Sequence, residues 1–202
     1  MSDESRMLLT DCLEVLKAAR EDEVVISVMG TAREWSKISD HPLDLIYVPS
    51  SMGQATALGL GVALSQPSRR VVVCQGDGSL LMNLGSLVTI TAHAPKNLTV
   101  LLFDNGVYEV TGIQQTLAAS DFRRDEQSIC YASLARSCGF QVVHEFASVD
   151  DWQVGVKECL SEDGPVFVVI KTTPMTENLS PKSPGPAAER IRNFAAALQV
   201  ED

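Results

Sequence analysis

The sequence predicts an α/β fold, a three-layer α/β/α sandwich around a mostly parallel sheet. Three observations predict it. Residues 70–74, 98–103 and 165–171 are short apolar runs of the kind found in strands buried on both faces. Segments with apolar residues at helix spacing stand between them. Strands that alternate with helices favour a parallel sheet covered on both sides.

Taken in order, residues 7–20 carry Leu8, Leu9, Cys12, Leu13, Leu16 and Ala19 at helix spacing. A short β-branched run, 24–28, reads as a strand that Gly30 breaks. Residues 52–64 are small and apolar. Their glycines would let a helix pack close to its neighbours, and Pro67 ends it. Strand 70–74 follows, helix spacing returns at 80–92, and 98–103 is the next strand. The remainder reads as helix 128–138, strand 141–146, helix 149–160 and strand 165–171. Residues 172–186 hold Pro174, Pro181, Pro184 and Pro186, which predicts an extended segment poor in hydrogen bonds. A terminal helix is expected over 187–198.

With 202 residues, the chain is expected to form a single domain spanning 1–202. It has the apolar fraction of an ordinary globular protein, 45%. A net charge of −10 argues against a nucleic-acid surface, which would need clustered Lys and Arg. The five cysteines (Cys12, Cys74, Cys130, Cys138, Cys159) form no C-x-x-C pair. They fit reduced thiols better than a disulfide framework, zinc site or iron–sulfur cluster. The start of the chain is polar and charged, and no apolar run reaches bilayer length. A soluble, cytoplasmic protein without nucleic-acid or membrane partners is the expectation.

The chemistry is centred on Gln75-Gly76-Asp77-Gly78-Ser79, set between a buried strand and a helix. In open α/β sheets, ligands bind beyond the carboxyl ends of strands. Gly76 and Gly78 would let the backbone approach a ligand. The amides of Gly78, Ser79 and Leu80 would face an anion from a helix start, where free N–H groups favour phosphate. Asp77 then supplies a hard oxygen beside that phosphate, as Mg²⁺ prefers. The next buried strand ends in Asp104-Asn105-Gly106-Val107-Tyr108, and Asn105 lies 28 positions after Asp77. That spacing leaves room for one helix and a crossover, so two oxygen donors can meet at adjacent strand ends. Gly-Asp-Gly or Asn-Gly alone is ordinary turn chemistry. Together, in this strand context, they are far more specific.

The run from Gly76 to Asn105 resembles the binding motif of thiamine-diphosphate (ThDP) dependent decarboxylases and their relatives. The resemblance implies a ThDP-binding fold in which the side chains of Asp77 and Asn105 and the carbonyl of Val107 ligate Mg²⁺. It further implies that Gly78 and Ser79 bind the diphosphate, with Gly76 and Tyr108 in the same cofactor set. Pro49-Ser50-Ser51-Met52-Gly53 resembles the segment that cradles the aminopyrimidine ring. Met52 would be the apolar wedge beneath the cofactor, with Ser51 beside it and the carbonyl of Ser50 accepting from the 4′-amino group. The sequence departs from the family pattern at Asp104, where Asn is usual, and at Ser50, where Gly is frequent. Over residues 23–171 the chain is most similar to sulfopyruvate decarboxylase β subunits, then to the C-terminal half of phosphonopyruvate decarboxylase.

ThDP enzymes also need a glutamate near N1′ of the pyrimidine, so that the cofactor can lose its C2 proton. In the family it comes from a separate pyrimidine-binding domain. This chain is too short to hold a second such domain, so a pyrimidine-binding α subunit carrying the glutamate is expected in a hetero-oligomer. Glu23 and Glu34 are nominal in-chain candidates, but both are expected to be solvated. The implied activity is that of a two-component lyase, converting a small 2-oxo acid such as a sulfopyruvate- or phosphonopyruvate-like compound to an aldehyde and CO₂. Glu109, Val110, Thr111 and the loop 112–124 would lie near the reacting centre, where Arg123 and Arg124 could pair with a sulfonate or phosphonate. A carbon–carbon bond-forming synthase subunit, a 2-oxo acid oxidoreductase subunit and a non-catalytic ThDP-binding module remain alternatives. His41, His93 and His144 stand in no catalytic pattern.

Overall fold

A computed structural model describes residues 6–119, 128–175 and 180–199. Six parallel strands form the central sheet: β1 (Val24–Ser27), β2 (Asp44–Ile46), β3 (Val71–Gly76), β4 (Leu98–Asp104), β7 (Val142–Phe146) and β8 (Val166–Lys171). Between β4 and β7, β5 (Val107–Tyr108) and β6 (Gln114–Gln115) pair antiparallel as a small hairpin. The helices are α1 (Leu9–Ala19), α2 (Met29–Ile38), α3 (Ala55–Ser65), α4 (Asp77–Leu81), α5 (Gly85–His93), α6 (Tyr131–Ser137), α7 (Val149–Ser161) and α8 (Ala187–Ala197).

Side chains on successive strand residues point to opposite faces, and here both faces are apolar. Val71 and Val73 enter the core shared with α3, α5 and α6, while Val72 and Cys74 enter the core shared with α1, α2 and α7. Phe167 and Val169 of β8 likewise face one core, and Val168 and Ile170 the other. That alternation produces the three layers. Close packing of α3 depends on Gly59, where a Cβ would lie 2.2 Å from Val73 Cγ2. On the opposite face, the fully buried Trp152 of α7 donates from Nε1 to the carbonyl of Cys12 at 3.0 Å, tying α7 to α1.

The strand order is β2-β1-β3-β4-β8-β7. The chain runs outward from β1 to β2 and then returns past β1 to β3, so the order reverses between β1 and β3. A crevice opens at such a switch point, outside the carboxyl ends of the strands. In register, Cys74 of β3 lies beside Ser27 of β1, Gly76 beside Phe103 of β4, and Asp104 beside Lys171 of β8.

The predicted layers and parallel sheet are present, with local differences. Gly30 does not break the chain into a loop. Met29 adopts φ +51° directly after β1, and Gly30 sits in the first turn of α2. The three-residue β2 is too short to give a periodic signal. The helix expected over 80–92 is two helices, α4 and α5, because residues 82–84 form turns held by backbone bonds from Met82 to Ser79 and from Asn83 to Leu80. Residues 172–175 and 180–186 form neither helix nor strand, apart from a bridge between Met7 and Thr172. No described helix is long and apolar enough to cross a membrane.

Candidate cofactor and metal site

At the end of β3 the chain turns from Gly76 straight into α4, so Asp77 lies at the base of the crevice with no exposed surface. One carboxylate oxygen, Oδ2, faces the hydroxyls of Thr116 at 3.4 Å and Tyr131 at 3.5 Å, both from buried residues. The other, Oδ1, is buried and has no hydrogen-bond partner. A buried acceptor without a donor is costly. Burial pushes the Asp77 carboxyl up to about 7, and the charge of Asp104 adds to the effect, while the backbone N–H groups of Gly78 and Asn105 partly offset it. Such an oxygen suits a cation.

Gly78 is required where it stands. A Cβ there would lie 2.5 Å from Cδ1 of the Tyr108 ring, so only glycine lets that ring cover the turn. Ser79 serves the neighbouring loop: its Oγ accepts from Gly53 N–H at 3.0 Å, and Asn83 Nδ2 donates to the Gly53 carbonyl at 3.0 Å. These two bonds fix the turn that carries Met52 against α4.

From β4, Asp104 leads into Asn105, whose Oδ1 accepts from Val107 N–H at 3.0 Å. An amide oxygen has two lone pairs, so this turn leaves one for a further partner. Asp104 itself is bonded to Lys171 Nζ at 2.7 Å. Burial would lower the Lys171 ammonium, but the Asp104 charge and hydrogen bond outweigh it and raise it above its ordinary value.

The residues singled out in the sequence largely converge. Met52, Gly76, Gly78, Ser79, Asn105, Val107 and Tyr108 line one open cavity, and Asp77, between Gly76 and Gly78, is fully buried and does not line it. Ser50 and Ser51 do not line it, being half-buried and exposed on the loop that leads to Met52. Arg123 and Arg124 lie outside the described residues. The expectation that Glu23 and Glu34 are solvated is incorrect, since both are buried. Glu34 is held by Arg33 Nε at 2.6 Å and Lys37 Nζ at 2.7 Å, and Glu23 Oε2 accepts from Glu21 N–H at 2.7 Å. Burial alone would raise the Glu34 carboxyl, but these partners together hold it below its ordinary value. Neither glutamate reaches the cavity.

Sequence reading missed one wall of the site. Met29, Gly30 and Thr31, after β1, line the same cavity. The Thr31 hydroxyl lies 2.7 Å from the carbonyl of Val28 and 2.8 Å from that of Cys74, sharing its one proton between them and joining the start of α2 to β3. A glycine just past a buried strand was the available signal. Glu109 is the carboxylate lining the cavity among the described residues. It accepts from Met175 N–H at 2.8 Å and stands against Gly30, where a Cβ would lie 2.8 Å from its Oε2. His144 pairs with Glu162 at 2.9 Å, His41 with Arg20 at 3.0 Å and His93 with the Thr89 carbonyl at 2.9 Å, all away from the cavity.

With this geometry in place, the comparisons with known proteins are decisive. Residues 27–170 match the thiamine pyrophosphate enzyme family, in its C-terminal TPP binding domain. The chain belongs to that family. Its TPP (ThDP) binding domain is 40% identical over 175 residues to a phosphonopyruvate decarboxylase from Streptomyces hygroscopicus, covering 85% of this chain and 41% of that protein. It is 43% identical over 165 residues to a sulfopyruvate decarboxylase subunit beta from Methanothermobacter thermautotrophicus, covering 81% of each. A protein named sulfopyruvate decarboxylase from Methanosarcina acetivorans is 32% identical over 196 residues, covering 96% of this chain and 48% of that protein. The chain therefore spans about half, or less, of some of these relatives and most of others. A solved structure from Mycobacterium smegmatis, assigned to the thiamin diphosphate-dependent enzymes, has the same fold. Its TM-score is 0.67 at 22% identity, over 85% of this chain and 32% of that one.

The cavity fits the family's cofactor. Asp77 Oδ1 is an orphaned buried oxygen, Asn105 retains a lone pair, and Tyr108 covers a turn where a side chain at position 78 would clash. Among the described residues no three His, Cys, Asp or Glu cluster as a metal cage. Mg²⁺ does not need one, because it keeps waters and phosphate oxygens as ligands.

Proposed function

We propose that this chain is the diphosphate- and Mg²⁺-binding subunit of a two-component ThDP-dependent 2-oxo acid decarboxylase. Its substrate would be a small acid of the sulfopyruvate or phosphonopyruvate type, and activity would require a pyrimidine-binding partner. One observation carries the reading: the buried, unpartnered oxygen of Asp77 lies at the sheet's switch point, in a site that also holds Asn105, Val107 and an apolar wall at Met52.

In this reading Asp77, Asn105 and the Val107 carbonyl hold Mg²⁺, and the amides of Gly78 and Ser79 receive the diphosphate. When bound, ThDP supplies a nucleophilic carbon and an electron sink for the departing CO₂. The residues of this chain orient it and exclude water. Met52 supports the rings from the apolar side, its loop fixed to α4 by Ser79 and Asn83. Glu109 closes the wall beside Gly30 and holds the 172–175 segment through Met175.

The partner is supported by the form of the relatives. This chain covers most of the proteins named subunit beta, and about half of one named sulfopyruvate decarboxylase without a subunit designation. A missing half of similar size supplies the activating glutamate in this reading. Calorimetric titration with ThDP and Mg²⁺, with and without the co-expressed partner, tests it. We expect binding that needs Mg²⁺, disappears in Asp77→Ala and tightens with the partner, followed by CO₂ release from sulfopyruvate or phosphonopyruvate. Absence of ThDP binding under both conditions would end the reading.

A further inference from the structure

We propose that Asp104 and Lys171 act as one positioning unit for the metal-holding loop, a role that rests on the cofactor reading above. At position 104 this chain has a carboxylate where the family motif usually has an amide. The structure supplies a counter-charge for it. Asp104 ends β4, its register neighbour at the end of β8 is Lys171, and Nζ lies 2.7 Å from Oδ2. Both side chains are largely buried, at 9% and 13% exposure.

The backbone is held at the same point. The Asp104 carbonyl accepts from Thr172 N–H at 3.0 Å and from Arg6 NH1 at 2.8 Å. Side chain and carbonyl are thus both fixed one residue before Asn105, so the placement of Asn105 and Val107 follows from this strand end. A neutral amide at 104 would need no counter-charge. A carboxylate buried beside Asp77 does need one, because a lone buried charge is strongly unfavourable and would compete with Asn105 for a nearby cation. Lys171 occupies that carboxylate on the β8 side and leaves Asn105 as the ligand. In this arrangement neither residue serves without the other.

The test is a double-mutant cycle on Asp104→Asn, Lys171→Met and the two combined, with Lys171→Arg as the conservative variant. Mg²⁺ is titrated calorimetrically at fixed ThDP, with circular dichroism and thermal unfolding of the same samples. Each single neutralisation is expected to weaken Mg²⁺ binding about ten-fold or more, the range seen when groups that orient metal ligands are removed. The combined variant should return to within about three-fold of the parent, and Lys171→Arg should stay near it. A single variant that unfolds while the combined one folds and binds counts as the same coupling. Unchanged Mg²⁺ binding in the singles, a combined loss equal to the product of the singles, or a lower unfolding temperature alone would each overturn the proposal. If the parent binds no ThDP in the same titration, run with the co-expressed partner present, the cofactor reading fails and the pair with it. If the parent binds and the variants match it, the pair alone fails.

Discussion

Asp77 combines full burial with a carboxylate oxygen, Oδ1, that has no hydrogen-bond partner. Its carboxyl rises from 3.8 to about 7 in the metal-free chain, through burial first and the charge of Asp104 second. The sign follows from linkage. Below about pH 4 the group is protonated whether folded or not, and it costs nothing. As pH rises toward 7 the unfolded chain ionises while the folded chain does not, so stability falls and then levels off. At 1.36 kcal/mol per pH unit the loss is at most about 4 kcal/mol. We expect chelator-treated protein to lose unfolding free energy between pH 4 and 7, with a smaller slope in Asp77→Asn, measured by denaturant titration. With Asp77 holding Mg²⁺ as proposed, the ion would compete with the same proton, so ThDP binding should weaken as pH drops below about 7. Gly78 gives a steric prediction. Gly78→Ala drives a methyl into the Tyr108 ring, which should cost about 1–3 kcal/mol of stability. Differential scanning and cofactor titration should report both that loss and weaker ThDP binding.

Among the elements, the junction between the Met52 turn and α4 couples two parts of the cavity that are far apart in sequence. Asn83 lies in the break between α4 and α5, the interruption that periodicity alone did not reveal. Its amide donates to the Gly53 carbonyl. Removing that donor in Asn83→Ala should cost about 1 kcal/mol. It should raise the ThDP dissociation constant while leaving the Mg²⁺ requirement intact, because Asn83 touches the wedge turn and not the metal loop. Equal losses in both would refute that division. At the far edge, Arg190 of α8 donates to the carbonyls of Ile46, the last residue of β2, and of Val48, two residues beyond it. The terminal helix thereby steadies the chain that leads into the Ser50–Met52 segment.

For the whole molecule, a ligand that binds only the folded state stabilises it by mass action, about 2.7 kcal/mol at one hundred times its dissociation constant. ThDP with Mg²⁺ should raise the unfolding temperature, EDTA should remove the gain, and the pyrimidine-binding partner should enlarge it. A shift that EDTA leaves unchanged would separate ThDP binding from the metal. The strand order puts the cavity between β1 and β3, and the same order makes β2 and β7 the sheet edges.

Much of this was legible locally. Apolar runs identified the buried strands because a parallel sheet covered on both faces needs no polar side. Gly76-Asp77-Gly78-Ser79 and Asp104-Asn105 marked their own strand ends because turn chemistry depends on neighbours in sequence. What stayed hidden depends on contacts between distant segments. The wall at Met29–Thr31 joins the site only because β1 pairs with β3. Glu34 was expected in solvent, yet α2 buries it with Arg33, since an ion pair can accompany a carboxylate out of water. Lys171 follows Asp104 by 67 positions and meets it through strand register. The sequence by itself determined five of the six sheet strands, most of the helices and the two strand-end turns at Asp77 and Asn105, because these are written within a few consecutive residues. Only the tertiary structure decided which strand ends become neighbours, and therefore which charges meet.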